Sequence, residues 1–156
     1  MRAIAIQAFG GPEAMALTDL PRPKPGRGEI LMRIVACGVN PVDWKIREGR
    51  LPAGVTHAFP IVLGWDAAGV VDELGEGCQR FRKGDRVLAY ARRPHVQWGT
   101  YAEYVAVPER HVSLMPSVSP SSPNTFSPDS GSTSEMCVWH PLPAESAHGL
   151  LMNVAR

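Results

Sequence analysis

The chain has 156 residues, 44% of them hydrophobic, enough to bury one core and to make a single domain the sensible expectation. A formal charge of +1, with basic residues scattered apart from Arg92-Arg93, gives no electrostatic case for nucleic acid or a membrane surface. No apolar run approaches the roughly 18 residues that a membrane span needs. Three cysteines exclude a disulfide framework, and Cys137-Val-Trp-His140, though ligand-like in spacing, is one pair where a tetrahedral zinc site needs two. The N-terminus reads as a strand rather than a signal peptide, and with the sparse cysteines it points to a reducing cytoplasm.

In chain order, residues 3–9 alternate as a first strand feeding the core, and Gly10-Gly11-Pro12 turns the chain. Residues 14–17 form a short apolar patch, and the three prolines between Pro21 and Pro25 mark a loop. The run 29–37 (EILMRIVAC) is the clearest strand; both its faces are largely apolar, so it belongs at the centre of a sheet. Pro41 suits the first position of a helix, which the pattern carries over 41–48. Asp43 in its first turn complements the helix dipole, and Gly49 closes it. Residues 51–59 read as a loop. Strands follow at 61–63 and 67–74 around Gly64, then at 86–91, 99–108 and 111–115. The fold class is therefore mainly β, a small irregular barrel with one short helix.

The pattern breaks at Met115. Over residues 116–134, 12 of 19 are Ser or Pro and neither strand nor helix periodicity appears, which predicts disorder. Residues 135–156 regain some apolar content and read as weakly helical at best, with 145–154 a marginal helix. The organisation expected is a β domain over 1–115 and a Ser/Pro-rich tail over 116–156.

The runs ACGVNPVDWKIREG, FPIVLGWDAAGVVDELGEG, FRKGDRVLAY and GTYAEYVAVPERHVSLMP share order and spacing with one family. Over about residues 1–116 the chain resembles the N-terminal GroES-like domain of the medium-chain dehydrogenases/reductases, in the zinc-free quinone oxidoreductase and enone reductase branch. The resemblance implies a GroES-like partial β-barrel with one or two short helices. Zinc alcohol dehydrogenases of that superfamily carry Cys at Asn40 and Gly-His-Glu at Gly64-Trp65-Asp66. An indole N–H has no lone pair to give a cation, so the resemblance implies no zinc. It implies NADPH as cofactor and a quinone or enone as substrate, with homo-oligomerisation left open. It also implies that Lys45 and Asn40 are catalytic, that Asn40, Asp43 and Lys45 lie on the cofactor side, and that Trp44, Trp65 and Asp66 lie around the substrate.

Taken without the resemblance, each residue has a plainer reading. Asn40 ends a strand before Pro41, Asp43 is a helix N-terminal acid, Lys45 is solvated, and the tryptophans pack. No G-x-G-x-x-G loop occurs: Arg80 stands where the third glycine after Gly75 and Gly77 belongs, so no Rossmann domain is expected. The abrupt loss of pattern reads as a severed domain, produced by a frameshift, altered splice or misassembled gene, and inactive in isolation. The alternative is a non-catalytic GroES-like binding or interaction module.

Overall fold

A computed structural model describes residues 1–51 and 53–116, together with the backbone of residues 135–138. The strands are β1 (Arg2–Ile6), β2 (Met15–Asp19), β3 (Glu29–Val39), β4 (Thr56–His57), β5 (Ile61–Val62), β6 (Asp66–Leu74), β7 (Arg86–Tyr90), β8 (His95–Val96), β9 (Tyr104–Pro108), β10 (Val112–Leu114) and β11 (Glu135–Val138). One α-helix, α1 (Pro41–Arg47), lies between β3 and β4. The chain is mainly β, as its pattern predicts.

The largest sheet runs β10-β7-β6-β3-β11, and β9 also pairs with β3. β3 is central because its apolar residues reach both faces: Ile30, Leu31 and Met32 are all fully buried. Its partners β6 and β9 run antiparallel, with Met32 opposite Val71 on one side and Val105 on the other. Ile30, Met32, Val71, Phe81, Val87, Val105 and Val107 form the core of this sheet. A second sheet, β2-β1-β5, is also antiparallel. Ile6 and Ile61 on that sheet pack with Ile46 of α1, Leu63 and Val96, which seats the helix beside the loop that follows β5.

The helix ends are as the sequence dictates. Pro41 occupies the first turn. At the other end Gly49 has φ +80°, its N–H donates to Ile46 O at 2.9 Å, and Arg50 N–H donates to Lys45 O at 2.8 Å. This is a Schellman closure, in which a left-handed glycine satisfies the last carbonyls.

Several boundaries depart from the sequence reading, each for a structural reason. The first strand stops at Ile6, and Phe9 is 38% exposed rather than in the core. Its ring packs edge-on against Phe59, centroids 5.1 Å apart. Of the patch read at 14–17, Ala14 ends a short 3-10 turn and the rest starts β2, whose partner is β1. The expected loop 51–59 contains β4, which pairs in parallel with β8, a contact between residues 39 apart that no local pattern carries. The strand expected at 99–108 forms only from Tyr104. Before it, Thr100 and Tyr101 donate their N–H groups to Gly64 O and Leu63 O, so the chain there crosses towards the second sheet. Glu135–Val138 is a strand and not a helix, because β3 offers it an edge. The disorder expected over 116–134 and the marginal helix at 145–154 lie outside the described residues, apart from Pro116.

Truncating Ile30 at the fully buried centre should cost about 2–5 kcal/mol as Ile30→Ala. Leu17→Ala, at a side chain 62% exposed, should change stability by no more than about 0.5 kcal/mol. Urea unfolding of both variants measures the contrast.

Candidate functional site

The end of β3, the first turn of α1 and the Gly64 turn meet at one carboxylate. Asp43 is 3% exposed, and both of its oxygens are used. Oδ2 accepts the Asn40 backbone N–H at 2.8 Å and the Tyr101 hydroxyl at 3.0 Å. Oδ1 accepts the Gly64 N–H at 3.2 Å. The first of these is the return arm of a capping box, with the acid at the third helical position reaching back to the N-cap. The others bind the same side chain to two further segments of chain.

Burial pushes the Asp43 carboxyl above the ordinary aspartate range. The hydrogen bonds from Asn40, Tyr101 and Gly64 pull it back in part, and the nearby Asp66 charge adds to the rise.

Asn40 stands between two acids. Its backbone donates to Asp43, and its Nδ2 donates to Asp66 Oδ2 at 2.6 Å. Gly38 makes room for that pair, since a Cβ there would sit 3.2 Å from Asp66 Cβ and 3.7 Å from Asn40 Nδ2. Gly64, at φ +90°, is required twice over: the left-handed backbone disfavours a side chain, and a Cβ would collide with Thr100 Oγ1 and the Tyr101 ring. Thr100 is fully buried, and its hydroxyl has no hydrogen-bond partner among the described residues.

Three of the six residues singled out from sequence thus form one hydrogen-bonded unit: Asn40, Asp43 and Asp66. Asp43 is turned into the protein, so its part there is to position its neighbours. Trp44 and Lys45 lie on the exposed side of α1. The Lys45 ammonium is 5.6 Å from the Trp44 ring centre, and the Arg50 guanidinium is 5.3 Å from the same ring. Lys45 makes no ion pair among the described residues. Trp65 packs against the cluster containing Ile6 and Ile46; its ring meets Tyr90 edge-on at 6.2 Å and carries Arg92 at 5.3 Å.

Sequence reasoning did not single out Tyr101, Tyr90 or Arg92. Tyr101 lay inside a run that reads as regular strand, where a hydroxyl gives no hint of its partner. Among the described residues no three His, Cys, Asp or Glu side chains are grouped to hold a metal ion.

Asp43→Asn should cost about 1–3 kcal/mol at neutral pH. An amide has one acceptor atom where the carboxylate has two, so either Gly64 N–H or Asn40 N–H loses its buried acceptor. The pH dependence has a definite sign. Because the folded pKa of Asp43 is raised, its contribution is greatest below the unfolded value and falls as pH rises to the folded one. Glu29 works the other way: burial tends to raise its pKa, but Gly26 and Arg93 outweigh that, so its contribution is lost as pH falls through the lowered value. Urea unfolding across the acid range should therefore show Asp43→Asn losing the component that declines with rising pH, while the Glu29 component stays.

The Alcohol dehydrogenase GroES-like domain family matches residues 26–117, more than half of the chain. Pig (Sus scrofa) quinone oxidoreductase is 39% identical over 117 residues, 74% of this chain and 34% of that protein. Among solved structures, human synaptic vesicle membrane protein VAT-1 homolog-like protein superposes with TM-score 0.68 at 31% identity, covering 76% of this chain and 36% of that one. Escherichia coli quinone oxidoreductase complexed with NADPH gives TM-score 0.65 at 27% identity, over 74% of this chain and 33% of that one. The chain spans about a third of the length of these relatives. With the sheet order, the Asn40 turn and these likenesses together, the chain belongs to the alcohol dehydrogenase GroES-like domain family, in the quinone oxidoreductase branch of the medium-chain dehydrogenases/reductases.

Proposed function

We propose that residues 1–115 are the catalytic-domain half of an NADPH-dependent, zinc-independent reductase of quinones or enones, followed by a separate tail over 116–156. The observation that carries this reading is the Asn40 turn. It presents an amide fixed by Asp66 and, five residues on, an exposed lysine with no ion pair among the described residues. These groups suit the nicotinamide end of the cofactor. They do not suit its phosphates, which need a glycine-rich turn at a helix N-terminus that this sequence lacks.

NADPH, when bound, supplies the hydride. The chain's own residues orient and stabilise. Asn40 is held rigid from both sides and lines the nicotinamide face. Lys45 Nζ, exposed beside the Trp44 ring, reaches the carbonyl oxygen of the substrate, where its charge stabilises the developing enolate or hydroquinone oxyanion. Trp44, Trp65 and Asp66 border the substrate, and Asp43 positions Asn40 from behind. The donor set supports the zinc-free reading. A zinc site draws on thiolate and imidazole, and here an amide stands at Asn40 and an indole at Trp65.

On this reading the chain alone lacks one wall of the cofactor cleft and does not turn over. Among the described residues no helix is long and apolar enough to cross a membrane. A cytoplasmic setting accords with that and with the sparse cysteines.

Purified chain should show no NADPH oxidation with quinones and no stoichiometric zinc by elemental analysis. Joined to the nucleotide-binding domain of a related reductase, it should reduce quinones or enones. In that fusion Lys45→Ala should lower kcat about 10²–10³-fold with little change in NADPH affinity, as expected for a group that acts on transition-state charge. An unchanged kcat would make Lys45 a solvated surface residue, and robust turnover by the chain alone would refute the half-site reading.

A further inference from the structure

β3 is eleven residues long, and its two edges are filled differently. On one side β6 follows it from Ile30 to Cys37. On the other, β9 covers only Glu29 to Arg33. Beyond that point the backbone groups of Ala36–Val39 would face outward as an open edge, a template for any extended chain. Glu135–Val138 takes this place in antiparallel register, with Glu135 opposite Val39, Met136 opposite Gly38, Cys137 opposite Cys37 and Val138 opposite Ala36.

The geometry allows one chain to do this. β10 and β11 stand at opposite ends of the sheet order, four strand steps apart, which is about 19 Å at the usual strand spacing. Twenty residues separate Leu114 from Glu135. Fully extended, twenty residues cover at most about 66–72 Å, so the length of chain between the two strands permits the connection.

We propose that the edge of β3 over Ala36–Val39 is a strand-docking surface, that its occupant is this chain's own Glu135–Val138, and that docking blocks edge-to-edge pairing between copies. Recognition is by main-chain hydrogen bonds, as in β-strand addition. The docked strand begins opposite Val39, one residue before Asn40, so it also steadies the backbone that leads into the site.

The test uses the full chain. Antiparallel pairing places α-protons in contact across non-hydrogen-bonded pairs, either at Cys37/Cys137 or at Gly38/Met136. Nuclear Overhauser spectra should show one of these contacts. In a half-labelled mixture the contact should arise within chains; a contact between chains would overturn the intramolecular occupant in favour of a second copy. Its absence, with fast amide exchange at Ala36–Val39, would overturn docking altogether. The double variant Met136→Pro/Cys137→Pro removes two successive donors, one of which faces β3. It should speed exchange of the Ala36–Val39 amides turned towards the strand at least tenfold, leave the Ile30–Arg33 amides under β9 unchanged, and shift sedimentation towards dimer. Unchanged exchange at Ala36–Val39 in that variant would refute the proposal.

Discussion

The site depends on one buried carboxylate. Asp43 joins three segments that are far apart in sequence: the N-cap of α1 at Asn40, the Gly64 turn before β6, and Tyr101 on the approach to β9. Each contact satisfies a donor that would otherwise be costly to leave unpaired in the interior. Because all three converge on one side chain, the helix cannot tilt without disturbing the Gly64 turn, and Asn40 cannot leave its place without losing both acids. The raised pKa is the cost of holding a charge there, and the hydrogen bonds offset part of it.

This constraint explains why small residues surround the carboxylate. Gly38 leaves room for the Asn40–Asp66 pair, and Gly64 lets its backbone come against Thr100 and Tyr101. It also explains how one short helix can hold two exposed side chains in a fixed place. Ile46 anchors α1 in the core and Asp43 ties its start, so Trp44 and Lys45 on the outer face project from a fixed base.

Much of this was legible in the sequence because it is local. The central position of β3 follows from apolar residues on both faces, and the helix ends follow from Pro41 and Gly49. Asn40, Asp43 and Asp66 stood out through motif resemblance, and the structure joins them by hydrogen bonds. What the sequence did not disclose is long-range. Tyr101 reaches Asp43 across 58 residues, β4 finds β8 with no periodicity in a two-residue pair, and Glu135–Val138 becomes a strand only because β3 has an uncovered edge. Side-chain role was hidden in the same way. Asp43 reads equally as a cofactor contact or a helix-start acid until its three donors are seen.

The most direct measurement is a pH titration of the Asp43 carboxyl carbon by NMR, with the Asn40 and Tyr101 resonances followed alongside. The account predicts a midpoint above the ordinary aspartate range, shared by all three residues, because they report one buried hydrogen-bonded unit. Asn40 and Tyr101 signals indifferent to the Asp43 titration would contradict the claim that this carboxylate holds the site together.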